Sequence, residues 1–214
     1  MNPHDYQLDG TVLKANDATT LWKTENGIVE ISKNTLAVPI KQDDKTKGFV
    51  LHGKCRLVLD TIVETNRGAV GKPVEREITE PFLMFKDEEE AQQSFGTAND
   101  DDLKSMSYEN QKGFITKAQG LYDEFLRGRS MHHHGHWHQD ERWHHGHEGN
   151  GVIFVFPRKT ERFDMLIANG SKLIYAAEDK TFISNGRKVI LKTPEETVIT
   201  RQGRSLVLKT RCGC

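Results

Sequence analysis

Eight of the ten histidines of this 214-residue chain fall in the sixteen residues from His132 to His147. The run reads Met131-His-His-His-Gly-His-Trp-His-Gln-Asp-Glu-Arg-Trp-His-His-Gly-His-Glu148. Neutral imidazole is the commonest protein ligand for zinc, copper, nickel and iron, so the chemistry this composition points to is metal coordination. The candidate ligands are His132, His133, His134, His136, His138, Asp140, Glu141, His144, His145 and His147. Imidazole and carboxylate are borderline ligands and the run holds no thiolate. The expected cofactor is therefore a divalent transition metal, Zn, Ni or Cu.

Two backbone geometries would sort these ligands differently. An extended chain puts His132, His134, His136 and His138 on one face, with Asp140 and His144 following. A helix would line up His134, His138, Glu141 and His145. Glycines at 135, 146, 149 and 151 oppose a long helix, each costing ~1 kcal/mol relative to alanine. The expected form is an extended arm or loop, with Trp137 and Trp143 as anchors.

Catalytic templates fit less well. His136-Trp-His138-Gln-Asp140 opens like the HxHxD of metal-dependent hydrolases, but Glu141 follows and no histidine stands beyond His147. The zincin HExxH is absent, because His147-Glu148 runs into Gly-Asn-Gly. A cupin-like set lacks its distant histidine. The same imidazoles would also make a pH sensor, since protonating all ten moves the formal charge from −1 to +9. A Gly-punctuated, solvated loop without a function is the remaining alternative.

The elements that must carry this run are mostly short strands. Leu21-Trp22, Ile28–Ile31 and Leu36–Ile40 read as β, separated by turn signals at Asn26-Gly27 and Lys33-Asn34. Gln42–Lys47 reads as a polar loop. Gly48–Leu51 and Lys54–Glu64 follow as strands, with His52-Gly53 as a tight turn between them, and Pro81–Phe85 closes this half. Gly68–Lys72 lacks the GxxxxGK[ST] of a phosphate loop. From Glu109 to Arg127 the apolar residues Phe114, Ile115, Ala118, Leu121, Tyr122, Phe125 and Leu126 recur at helical spacing. Ser107 is the expected cap and Gly128 the expected stop.

Beyond the arm, seven short strands lie between Val152 and Lys209. Asn169-Gly and Asn185-Gly are hairpin signals, and Asn169, Asn185 and Gln202, each followed by Gly, open a loose repeat. These elements predict a mainly β (α+β) fold: an antiparallel β-sandwich or barrel built of hairpins, with an inserted amphipathic helix and a His-rich arm. The expected organisation is a β-rich half at 1–85, a helical insertion at 86–130, the arm at 131–150 and a β-meander at 151–214 that shares one core with the first half.

Composition bounds the function. At 36% hydrophobic and 29% charged residues, the chain has the balance of a soluble globular protein. No window approaches the ~20 apolar residues of a spanning helix, and no secretory signal is visible at Met1–Gln7. Cys55, Cys212 and Cys214 form no even disulfide set, which with the missing signal predicts a cytoplasmic location. The terminal CxC could join His52 and Cys55 in a zinc set if the ends met, but Cys55, inside a strand, reads better as a small core residue. Residues 158–214 hold twelve Lys/Arg against six Asp/Glu, a basic surplus that leaves nucleic acid open as a partner, although charged strand edges explain it more simply. The reading that follows is a non-enzymatic protein that binds metal ions through the arm, for buffering, delivery or metal-bridged assembly. The alternatives are a structural homo-oligomer or filament subunit with a pH-responsive or disordered His-rich loop, and a metal-dependent hydrolase.

Overall fold

Alternating and continuous apolar runs separate strands covered on one face from strands covered on both. The computed structural model describes residues 6–24, 27–59, 62–65, 68–71, 74–86, 92–131, 151–158, 163–169, 172–177, 180–185, 188–192, 197–202 and 205–210. In chain order the first strands are β1 (Gln7–Leu8), β2 (Leu13–Ala15), β3 (Thr19–Thr24), β4 (Gly27–Ile31), β5 (Leu36–Gln42), β6 (Lys45–His52), β7 (Cys55–Leu59) and β8 (Ile62–Thr65). Then come β9 (Gly68–Gly71), β10 (Val74–Ile78), β11 (Phe82–Phe85), β12 (Phe95–Thr97) and the helices α1 (Asp100–Ser105) and α2 (Gln111–Met131). The last strands are β13 (Val152–Pro157), β14 (Phe163–Asn169), β15 (Lys172–Ala177), β16 (Lys180–Asn185), β17 (Lys188–Lys192), β18 (Thr197–Gln202) and β19 (Ser205–Thr210).

The fold is mainly β, a sandwich of two antiparallel sheets with a helix laid on its outer side. Strands β3, β4, β7 and β10 form the small sheet, and the other fifteen form the large one. Strand β13 pairs with β11, so strands from before and after the helices share one sheet. From β13 to β19 the large sheet follows chain order as an antiparallel meander. Asn169 pairs with Lys172, Asn185 with Lys188 and Gln202 with Ser205, which places the three repeat residues at the same end of the meander.

Side-chain alternation in the central strands sorts two cores. Phe49 and Leu51 of β6, Phe82 and Met84 of β11, and Phe154 and Phe156 of β13 face the small sheet, where they meet Trp22, Val29, Ile31, Cys55, Leu57 and Ile78. Val50, Leu83, Ile153 and Val155 face the other way, onto Phe114, Ala118, Tyr122 and Phe125 of α2. These helix residues recur at four, four and three positions, the stripe an amphipathic helix presents to a sheet. Strands β5, β6, β11 and β13 are thus covered on both faces, which explains their unbroken apolar runs.

Four local expectations are corrected. Gln42–Lys47 is not a loop: Gln42 pairs with Lys45, and only Asp43 and Asp44 turn, at φ 50° and 62°. Two consecutive left-handed residues match the right-handed twist of a hairpin, and aspartate tolerates that region. His52-Gly53 is not a hairpin turn, because β6 lies in the large sheet and β7 in the small one. This crossover runs beside that of residues 32–35, to which it is joined by Ser32 N–H donating to the Lys54 carbonyl at 2.8 Å. A Cβ on Gly53 would lie 2.2 Å from Thr35 Oγ1, so the close approach requires glycine. Ser107 does not cap α2: it sits at φ 65° after α1, and Asn110 Oδ1 accepts from Gly113 N–H at 2.9 Å instead. Gly128 does not end α2, which continues to Met131. The 86–130 segment also holds a strand, β12, paired with β2.

Candidate functional site

The ten residues expected to bind metal, His132, His133, His134, His136, His138, Asp140, Glu141, His144, His145 and His147, all lie outside the described residues. The structure fixes what brackets them. Helix α2 ends at Met131 and β13 begins at Val152, and both are held in the outer core, through Phe125 on one side and Ile153 and Val155 on the other. Phe125 packs 5.6 Å from the Phe85 ring and 6.0 Å from Phe163.

Among the described residues no group of three or more His, Cys, Asp or Glu is arranged to hold a metal ion. Cys55 is a core residue: it is fully buried in the small sheet, and burial pushes its thiol up to about 12 against the weaker pull of the Arg76 charge. The structure therefore places Cys55 as the small core residue expected inside a strand. Cys212 and Cys214 lie outside the described residues.

Two polar clusters that the sequence reading missed stand out. In the first, Arg76 of β10 and Arg158, just past β13, both donate to Asp164 of β14. Asp164 is only 5% exposed. Arg76 also lies 5.6 Å above the Phe156 ring, reaches the Pro157 carbonyl at 3.4 Å, and sits 3.5 Å from the Tyr175 hydroxyl. Burial is the main reason the Tyr175 hydroxyl titrates above its usual value. One carboxylate thus holds two guanidinium groups and ties the edge of the small sheet to the large one.

The second cluster gathers around His52 at the end of β6. Its Nε2 lies 3.1 Å from the Thr79 carbonyl, and its ring stands edge-on to Tyr108 at 5.3 Å and stacks on Phe114 at 6.3 Å. Both His52 Nδ1 and the Tyr108 hydroxyl are buried with no hydrogen-bond partner among the described residues. Lys117 Nζ lies 5.8 Å from the Tyr108 ring centroid. Burial, and then Lys117, lower the His52 pKa, against the Thr79 bond and Glu80, which raise it. Burial, with Glu80 adding to it, pushes the Tyr108 hydroxyl up to about 12.

No signal within a short window could have found either cluster. Arg76 and Asp164 are 88 residues apart, and His52 and Tyr108 come from opposite sides of β7–β12. No helix among the described residues is long and apolar enough to cross a membrane. Comparison with known proteins returns no match: no family model, no curated protein and no solved structure resembles the chain.

Proposed function

We propose that this chain is a non-enzymatic β-scaffold that displays a histidine-rich segment for binding divalent transition ions, Zn, Ni or Cu. The observation that carries the reading is compositional: eight imidazoles and the carboxylates of Asp140 and Glu141 within sixteen residues. The geometry supports it by holding both flanks of the segment in one core, so that ion binding need not disturb the sheets. Many ligands on a short glycine-punctuated stretch suit several labile ions better than one preorganised catalytic ion, which needs a fixed ligand set with an open position. The expected role is buffering, delivery or metal-bridged assembly.

The test is elemental analysis of untagged protein purified without a metal-affinity step, with mass by light scattering before and after chelator. More than one weakly held ion per chain is expected, lost when the eight histidines from 132 to 147 are changed to asparagine while circular dichroism is unchanged. One tight ion that survives dialysis would point to a defined site and the hydrolase alternative. No bound ion with a chelator-insensitive oligomer would overturn the reading.

A second reading, a homo-oligomer subunit, is favoured by the register of the meander. Ile153, Ile167, Ile174, Ile183, Ile190 and Val198 form one cross-strand row over six strands. Ile153 and Ile167 lie in the core under α2, so a second copy related by a rotation axis would meet the meander from β15 onward. A chelator-insensitive mass above one chain is the outcome it expects.

A further inference from the structure

The second polar cluster carries an inference independent of the metal reading. The Thr79 carbonyl can only accept, so the Nε2 it faces is the donor, and the neutral ring leaves Nδ1 bare. That Nδ1 is buried without a partner. Protonation would place a second N–H there, with no acceptor among the described residues, and a charge in a half-buried site that Lys117 already opposes. His52 is half-buried, and an unmade hydrogen bond at its buried Nδ1 costs more when the ring is charged than when it is neutral.

The groups facing His52 come from each element around it. Strand β5 offers Leu36, its register partner, which is apolar. The link between β10 and β11 offers Thr79 and Glu80, and the link between α1 and α2 offers Tyr108. Helix α2 itself offers Phe114 and Lys117. The Thr79 carbonyl and, less strongly, the exposed Glu80 favour the imidazolium, whereas burial and Lys117 oppose it. The neighbouring Lys54 is engaged with Glu77 at 3.1 Å. Tyr108 and Phe114 are in ring contact at 5.0 Å, so the corner before α2 and its first turn rest on the imidazole as one unit.

We propose that His52 is a pH-operated latch: neutral, it seats the α1–α2 corner and the first turns of α2 on the large sheet, and protonated, it releases them. The sign follows from linkage. A histidine whose seated form resists protonation takes up a proton when the corner opens, so the latch is at full strength above the ordinary histidine value of about 6.5 and weakens as pH falls below it. Between that value and the lowered one, the opening equilibrium should rise about tenfold per pH unit.

The experiment uses the full chain. Amide hydrogen exchange of residues 113–118 is followed from pH 7.5 to 5, corrected for intrinsic rates, with the strands β4 and β7 as internal reference. Nitrogen-15 NMR reads the tautomer and titration of His52 in the same samples. The expected result is protection that falls about tenfold per pH unit at 113–118 but not in β4 or β7, a His52 midpoint below about 6.5, and no fall in the His52→Phe variant. Equal loss of protection in His52→Phe, no loss in the wild type, or a His52 midpoint at or above its ordinary value would each overturn the proposal. The wild-type titration stands alone as a test if the variant does not fold.

Discussion

At the scale of single residues, the contact most exposed to substitution is Asp164. It is buried between two guanidinium groups, so changing it to asparagine keeps the shape and removes the one negative charge that both answer. Breaking a buried ion pair from one side costs ~3–5 kcal/mol. Arg76 keeps 28% of its side chain in water, which brings the expected loss for Asp164→Asn down to about 2–3 kcal/mol. Urea unfolding should show that loss nearly unchanged by added salt, since buried pairs are little screened; a loss that vanishes in salt would mean that water already reaches the cluster. Single residues were also the least legible level of the sequence. The histidine run announces itself because its ligands are neighbours in the chain, whereas Arg76, Arg158 and Asp164 look like ordinary strand charges until the two sheets stack. For His52 the sequence suggests a turn residue or a zinc ligand beside Cys55, because its partners Thr79, Tyr108 and Phe114 are brought to it by crossovers that no local pattern encodes.

Elements were far more legible. Period-2 patterning located the strands from Thr19 to Ile40 and from Val152 to Thr210, and the two Asn-Gly signals fell where hairpins reverse. Two of the corrected expectations share one cause, local polarity that resembles a loop or a cap. Asp43-Asp44 is polar and stands between Gln42 and Lys45, yet it closes a two-residue hairpin whose strands bury Gln42 and Thr46. Ser107 has a good capping side chain but stands at positive φ, and Asn110 performs that role. Within α2, Gly120 is exposed, and a Cβ there meets nothing within 4 Å. Gly120→Ala should therefore stabilise the protein by about 1 kcal/mol, through helix propensity and a less disordered unfolded chain. Thermal melting would reveal this as a rise of a few degrees; a fall would show that the outer face of the helix is in contact after all.

For the molecule as a whole, the decisive feature is that β5, β6, β11 and β13 serve two cores at once. Damage to one core should therefore be felt in the other. Phe125→Ala, on the helix, removes a ring that packs on Phe85 and Phe163, at an expected cost of about 3 kcal/mol. The shared strands predict that amide exchange in β4 and β7, beyond the far side of the sheet, accelerates to the same degree as exchange in β5. Acceleration confined to α2 would mean that the helix unfolds by itself. The pairing of β8 with β19 at one end of the large sheet has a further consequence, in time rather than in space. The pairs Leu59–Val74 and Ile62–Gly71 keep one register, so β7–β10 form one long hairpin with its base in the small sheet. Its tip, β8, pairs in parallel with β19 through Glu64 and Val207. These partners are separated by most of the chain, and at a synthesis rate of about 5–20 residues per second roughly seven to thirty seconds pass between the making of one and the other. Throughout that interval a nascent chain carries an open strand edge, the feature that neighbouring chains on a crowded polysome are best able to capture.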